Sequence, residues 1–100
     1  MATHYARILR MHVKPDRIGQ AKIIFEESVI PLCKSQKGFL GAYFLADQES
    51  GTCLPITLWE SEEDMLATEH SAFFQEQIIK FMPFFTSPPV REGFEVIVDE

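Results

Sequence analysis

In the stretch YARILRMHVK (5–14) apolar and polar positions alternate with period two: Leu9, Met11 and Val13 share one face, Arg10, His12 and Lys14 the other. This predicts a strand that ends at Pro15. From Asp16 to about Gln36 the period lengthens. Ile18, Ala21, Phe25, Ser28 and Leu32 recur at helical spacing, while Lys22, Glu26 and Glu27 fall on the solvent side. The helix should kink at Pro31, which has no backbone N–H to donate, and stop at Gly38.

Past that glycine, FLGAYFLAD (39–47) and TCLPITLWE (52–60) are apolar, aromatic or β-branched runs, and the intervening QESG is turn-rich, so the two should pair as a hairpin. Pro55 cannot donate to a ladder and belongs at a bulge or on an unpaired side of its strand. Ser61 is placed to cap a second helical region, with Glu62, Glu63 and Asp64 in a first turn that favours negative charge. That region bends near Ser71, continues through AFFQEQIIKFMPFF (72–85) and ends at Pro83 or soon after. After the connector Pro88-Pro89, VREGFEVIVD (90–99) supplies a last strand. The order β-α-β-β-α-β is that of a ferredoxin-like α+β fold, an antiparallel sheet with its helices on one side. Residues 39–46 and 53–59 are apolar at nearly every position, however, so both faces of the sheet want cover. The same sheet of a second copy, related by a two-fold axis, would supply it, and a homodimer is expected.

Composition narrows the function classes. The 100 residues suit one domain, 1–100, and 46% apolar residues with nine Phe are enough for a core without staples. A net charge of −6 with nine scattered Lys and Arg argues against nucleic acid as a partner. Uncharged runs such as 38–46 are too short to span a membrane and the N-terminus shows no apolar leader, so the cytoplasm is expected. Cys33 and Cys53 match no metal or disulfide spacing and read as buried thiols in a reducing compartment. No metal or cofactor is expected, since neither a ligand cluster nor GxGxxG is present.

Several local patterns then coincide: Val13-Lys14-Pro15 closing the first strand, Gly38-Phe39 opening the second, and Trp59-x-Ser61-x-x-x-Met65 followed by Ser71 and Phe74. With these the chain resembles the antibiotic biosynthesis monooxygenase (ABM) family of small proteins that pair into dimeric α+β barrels. The resemblance implies a cofactor-independent monooxygenase acting on a small aromatic or quinol-like substrate. Such chemistry needs a dry pocket, a proton acceptor and a donor for the substrate anion.

Polar residues amid apolar ones are the candidates. Arg7 and Tyr5 lie on the Leu9 face of the first strand, Tyr43 is expected to join them from the second, and His70 is a candidate base. Each has an ordinary reading as well: a strand-end tyrosine, a rim arginine, and a histidine favoured by a helix C-terminus. The expected pocket is bounded by Leu9, Trp59, Met65 and Thr68, with Gly41, Ala42, Ala67 and Ala72 leaving space and Arg7 facing a substrate anion. Trp59 itself reads first as core, its indole N–H bonded, which is compatible with walling a pocket. Haem-degrading relatives carry an Asn, a second Trp and a His at positions that fall here on Leu9, Thr68 and Ile78, so haem degradation is not expected. Many other relatives place a His where Thr68 stands, and His70, about 200° further round the helix, does not replace it. The alternative function is a non-catalytic dimeric module that binds a small hydrophobic ligand or serves as an interaction domain.

Overall fold

In the computed structural model, which describes residues 4–100 (for Phe73 the backbone alone), the alternating first stretch forms β1, Tyr5–His12. A single 3-10 turn, Pro15–Arg17, leads into α1, Ile18–Ile24, which continues through a π-helical turn, Phe25–Val29, into α2, Ile30–Lys34. Then follow β2, Phe39–Ala46; β3, Thr52–Trp59; α3, Glu62–Glu69; and α4, Ala72–Phe81. A 3-10 turn, Met82–Phe84, and β4, Val90–Glu95, complete the chain. The sheet order is β2-β3-β1-β4, antiparallel throughout, as expected for a ferredoxin-like α+β fold.

The helix over 18–34 shows how Pro31 acts. Its ring and missing N–H disfavour a regular α-helical bond to the residue four before it, and the backbone widens upstream: Ile30 N–H donates to Phe25 O, five residues back. The widened turn holds one extra residue. The buried stripe therefore runs Ile18, Ala21, Phe25, Val29, Cys33, one position later after Phe25 than the even spacing through Ser28 and Leu32 predicts. The kink expected at the proline is relieved as a π turn one step before it.

Two further points fix the sheet. The QESG hairpin is present, with Asp47 Oδ1 accepting from Glu49 N–H and Asp47 O from Gly51 N–H. Gly51, at φ +81°, carries its backbone against the end of β1, where Val13 N–H donates to its carbonyl, and a Cβ there would collide with Val13 O. The second point is a bulge: Phe39 faces Trp59 but Gly41 faces Leu58, so one residue of β2 is extra.

The helices cover one face only. Along β3 the buried positions are Cys53, Pro55, Thr57 and Trp59, and the residues between them are half-exposed. Met11, Val13, Phe25, Trp59, Met65 and Phe81 form the centre of the core, with Phe39 edge-on to Trp59 at 5.5 Å. On the opposite face Tyr43 is 60% exposed, and Leu40, Leu45, Val90 and Phe94 are exposed beside it. The sequence expectation that both faces are apolar holds, and one of them is bare in the single chain.

Candidate functional site

Proline in an interior strand creates the floor of the site. The pairs between β1 and β3 run from Tyr5↔Trp59 to Ile8↔Ile56 and resume at Met11↔Cys53, so the ladder lapses opposite Pro55, whereas Phe44↔Pro55 pairs normally on the other side. Pro55 thus sits where its missing N–H costs no bond, as expected for an unpaired side of a strand. Over this lapse lies a partly open cavity of about 40 Å³. Leu9, Pro55 and Thr57 rise from the sheet, and the π turn contributes Phe25 and Val29. α4 closes it with Phe74, Gln77, Ile78 and Phe81, at the i, i+3, i+4, i+7 spacing of one helix face. Nearly all of the lining is apolar, and Arg7 is its one charged residue.

Arg7 is held from two sides. Its guanidinium forms an ion pair through Nε with Glu69 Oε2, and the two side chains are only 12% and 8% exposed. On β4 the residue opposite Arg7 is Gly93, and a Cβ there would lie 3.2 Å from Arg7 Nη1 and 3.3 Å from Met65 Cε. The glycine leaves room for both side chains to pack against the strand. Glu69 reaches Arg7 because it is four residues, about one turn, after the buried Met65. The sequence pattern assigned Glu69 no role, and its spacing from Met65 is the signal that could have found it.

The other expected site residues are distributed differently from the prediction. Leu9 lines the cavity, and so does Ile78, the position where haem-degrading relatives were expected to differ. Trp59 is core, 1% exposed, with Nε1 donating to Thr57 Oγ1 at 2.9 Å; Thr57 is the residue through which it touches the cavity wall. Met65 is buried beside Arg7 rather than in the lining. Thr68 is buried too, and its hydroxyl donates back to Asp64 O at 3.2 Å within α3. His70 ends α3 on the exposed surface. Tyr43 does not join Arg7: it pairs with Ile56, whereas Arg7 pairs with Thr57, so the two lie on opposite faces of the sheet. The β2 bulge is the reason, since one extra residue after Phe39 turns Ala42 and Phe44 toward the helices and Tyr43 away. The residues Gly41, Ala42, Ala67 and Ala72, which suggested space, do not line the cavity over the Pro55 gap.

Local electrostatics and burial act on Tyr5 and the two cysteines. The nearby Glu62 carboxylate, then burial, then Glu95, raise the Tyr5 phenol above its ordinary value, which keeps it protonated near neutral pH. Burial pushes the Cys33 thiol up to about 11 and also raises Cys53, which makes both poor nucleophiles near neutral pH. Among the described residues no group of three His, Cys, Asp or Glu side chains is placed to hold a metal ion, and no helix is long and apolar enough to cross a membrane.

Comparison with known proteins agrees with this fold. The sequence pattern of the family described as antibiotic biosynthesis monooxygenase matches residues 4–78. A Bordetella bronchiseptica protein provisionally named an antibiotic biosynthesis monooxygenase superposes with a TM-score of 0.81 at 20% identity, over 96% of this chain and 99% of that one. A Nitrosomonas europaea protein of unknown function gives 0.78 at 19% identity, over 99% and 94%. A haem-degrading protein of Mycobacterium tuberculosis gives 0.74 at 19% identity, over 100% and 98%. At these identities the likeness establishes the fold. No curated protein matches the chain in sequence.

Proposed function

The chain belongs to the antibiotic biosynthesis monooxygenase family, and from that premise we propose that it is a cofactor-independent monooxygenase acting on a small aromatic, quinol-like substrate in the cavity over Pro55. The observation that carries this reading is Arg7, paired with Glu69, as the one charged residue in the lining of a mostly apolar cavity. In such a reaction a phenolic O–H bond breaks and its proton goes to a base; the ring then passes electrons to O₂. One oxygen atom ends on a ring carbon as a quinone carbonyl, and the other leaves as water with the two displaced hydrogens. Dioxygen is the oxidant and the substrate the only reductant. Arg7 stabilises the developing anion and Glu69, the carboxylate paired with it, takes the proton, in a setting where low polarity strengthens both effects.

The homodimer belongs to the same proposal. The bare face leaves Tyr43, Leu45, Val90 and Phe94 exposed, and a second sheet laid against it would cover them and close a barrel.

A second reading, a dimeric binding or interaction module, is favoured by one observation. The cavity is about 40 Å³, well short of the ~150 Å³ that accommodates benzene in an engineered core. A ring enters only if the half-exposed Phe74 and Ile78 on α4 swing outward. Oxygen-electrode assays with a panel of hydroquinones and dihydroxynaphthalenes separate the readings. Uptake above the buffer rate that falls in Arg7→Ala supports the enzyme. No uptake with any quinol leaves the binding module as the account.

A further inference from the structure

Arg7, the one charged residue of the cavity lining, is paired with Glu69, and this restricts what can enter. Arg7 and Glu69 together carry no net charge, and both are nearly buried. A ligand that arrives as an anion would place two negative groups against one guanidinium in an apolar enclosure, leaving one of them without a partner, which is the costly case for buried charge. A neutral hydroxyl meets no such penalty. It accepts from the guanidinium of Arg7, whose charge stays paired with Glu69.

Arg7 is also flanked by β4 and α3. Its guanidinium is packed against Gly93, where even an added methyl would come within 3.2 Å of Nη1, with Met65 Cε beside it. Glu69 is held on α3 by the same turn that buries Met65 and Thr68. The guanidinium is therefore charge-compensated where it meets the cavity.

We infer that Glu69 determines specificity by cancelling the charge of Arg7, so that the cavity takes neutral hydroxyaromatic ligands and rejects aromatic carboxylates of the same shape. The inference rests on the reading of this cavity as a ligand site and specifies its substrate class: a quinol or phenol in its protonated form, ionised only after binding. It also makes Glu69→Gln a change of specificity, because the amide leaves Arg7 uncompensated and the site becomes an anion receptor.

The test uses three ligands matched in shape, 4-methylphenol, 4-methylbenzamide and 4-methylbenzoate, titrated calorimetrically at pH 7 in low-chloride buffer against the full chain. Wild type should bind the phenol and the amide and bind the benzoate at least about tenfold more weakly, the factor that 1.4 kcal/mol represents. In Glu69→Gln the benzoate should gain at least about tenfold while the phenol changes little. If that variant does not hold its fold, the wild-type comparison of amide with benzoate still decides whether the cavity discriminates by charge. Equal binding of amide and benzoate to wild type overturns the inference, as does a folded Glu69→Gln in which the benzoate gains nothing. Binding of all three ligands without selectivity would leave the cavity a ligand site and remove only the role of Glu69. Binding of none removes the cavity as a ligand site and the inference with it.

Discussion

Replacing Glu69 by Leu leaves the Arg7 guanidinium in the wall of an apolar cavity with no counter-charge, and the reverse replacement strands the Glu69 carboxylate. With side chains only 12% and 8% exposed, each single change should cost about 3 kcal/mol, the lower end of what breaking a buried pair costs. Removing both charges together, in Arg7→Leu with Glu69→Leu, should cost no more than about 1 kcal/mol, because the desolvation of both ions is also removed. For a domain of this size about 3 kcal/mol corresponds to a fall of roughly 12–24 °C in Tm. Urea unfolding of the four proteins, at one protein concentration because subunit association makes stability concentration-dependent, gives the full cycle. Single variants that each lose less than about 1 kcal/mol, with additive losses in the double variant, would show that the pair is solvated. The dry, charge-compensated cavity on which the functional argument depends would then be wrong.

Three other outcomes are expected. Sedimentation at micromolar concentration should give about twice the 11.5 kDa chain mass, and Leu58→Asp, on the bare sheet face, should give a folded monomer; a dimer that survives this change associates through some other surface. Purified protein mixed with haem and a reductant should keep the haem absorption band, since apolar Leu9 and Ile78 line the cavity where working relatives are expected to carry polar ligands; steady loss of the band with iron release would contradict this. Cys33 and Cys53 should react with a thiol reagent at neutral pH only on unfolding. The folded Cys33 thiol sits at about 11, above its unfolded value, so the stability it contributes is complete below the ordinary thiol range and is lost as pH rises through about 11; denaturant midpoints that do not fall over that interval would remove the cause assigned to it.

The parts of the fold that could be read directly are those where one local rule governs. The alternation of β1, the QESG hairpin and the Ser61 cap, which accepts from Asp64 N–H at 3.1 Å, each follow from a few adjacent residues. The errors come from insertions of one residue. The π turn before Pro31 moves the buried stripe from Ser28 and Leu32 to Val29 and Cys33, and the β2 bulge moves Tyr43 to the far face. A periodic pattern carries no mark of where its phase slips, because the slip is set by backbone strain and by pairing with distant strands. Glu69 was missed for a different reason. Its charge suggests solvent, and only the placement of Arg7 across from Gly93 turns it inward.

The central claim is that the cavity over Pro55 is where a ligand binds. A crystal structure of the protein soaked with a dihydroxynaphthalene tests it most directly. The account predicts the ring between Pro55 and Phe81, Phe74 and Ile78 displaced outward, and a ligand hydroxyl within hydrogen-bond distance of Arg7. A ring seated elsewhere on the protein, with Phe74 and Ile78 unmoved and the Arg7–Glu69 pair untouched, would contradict it.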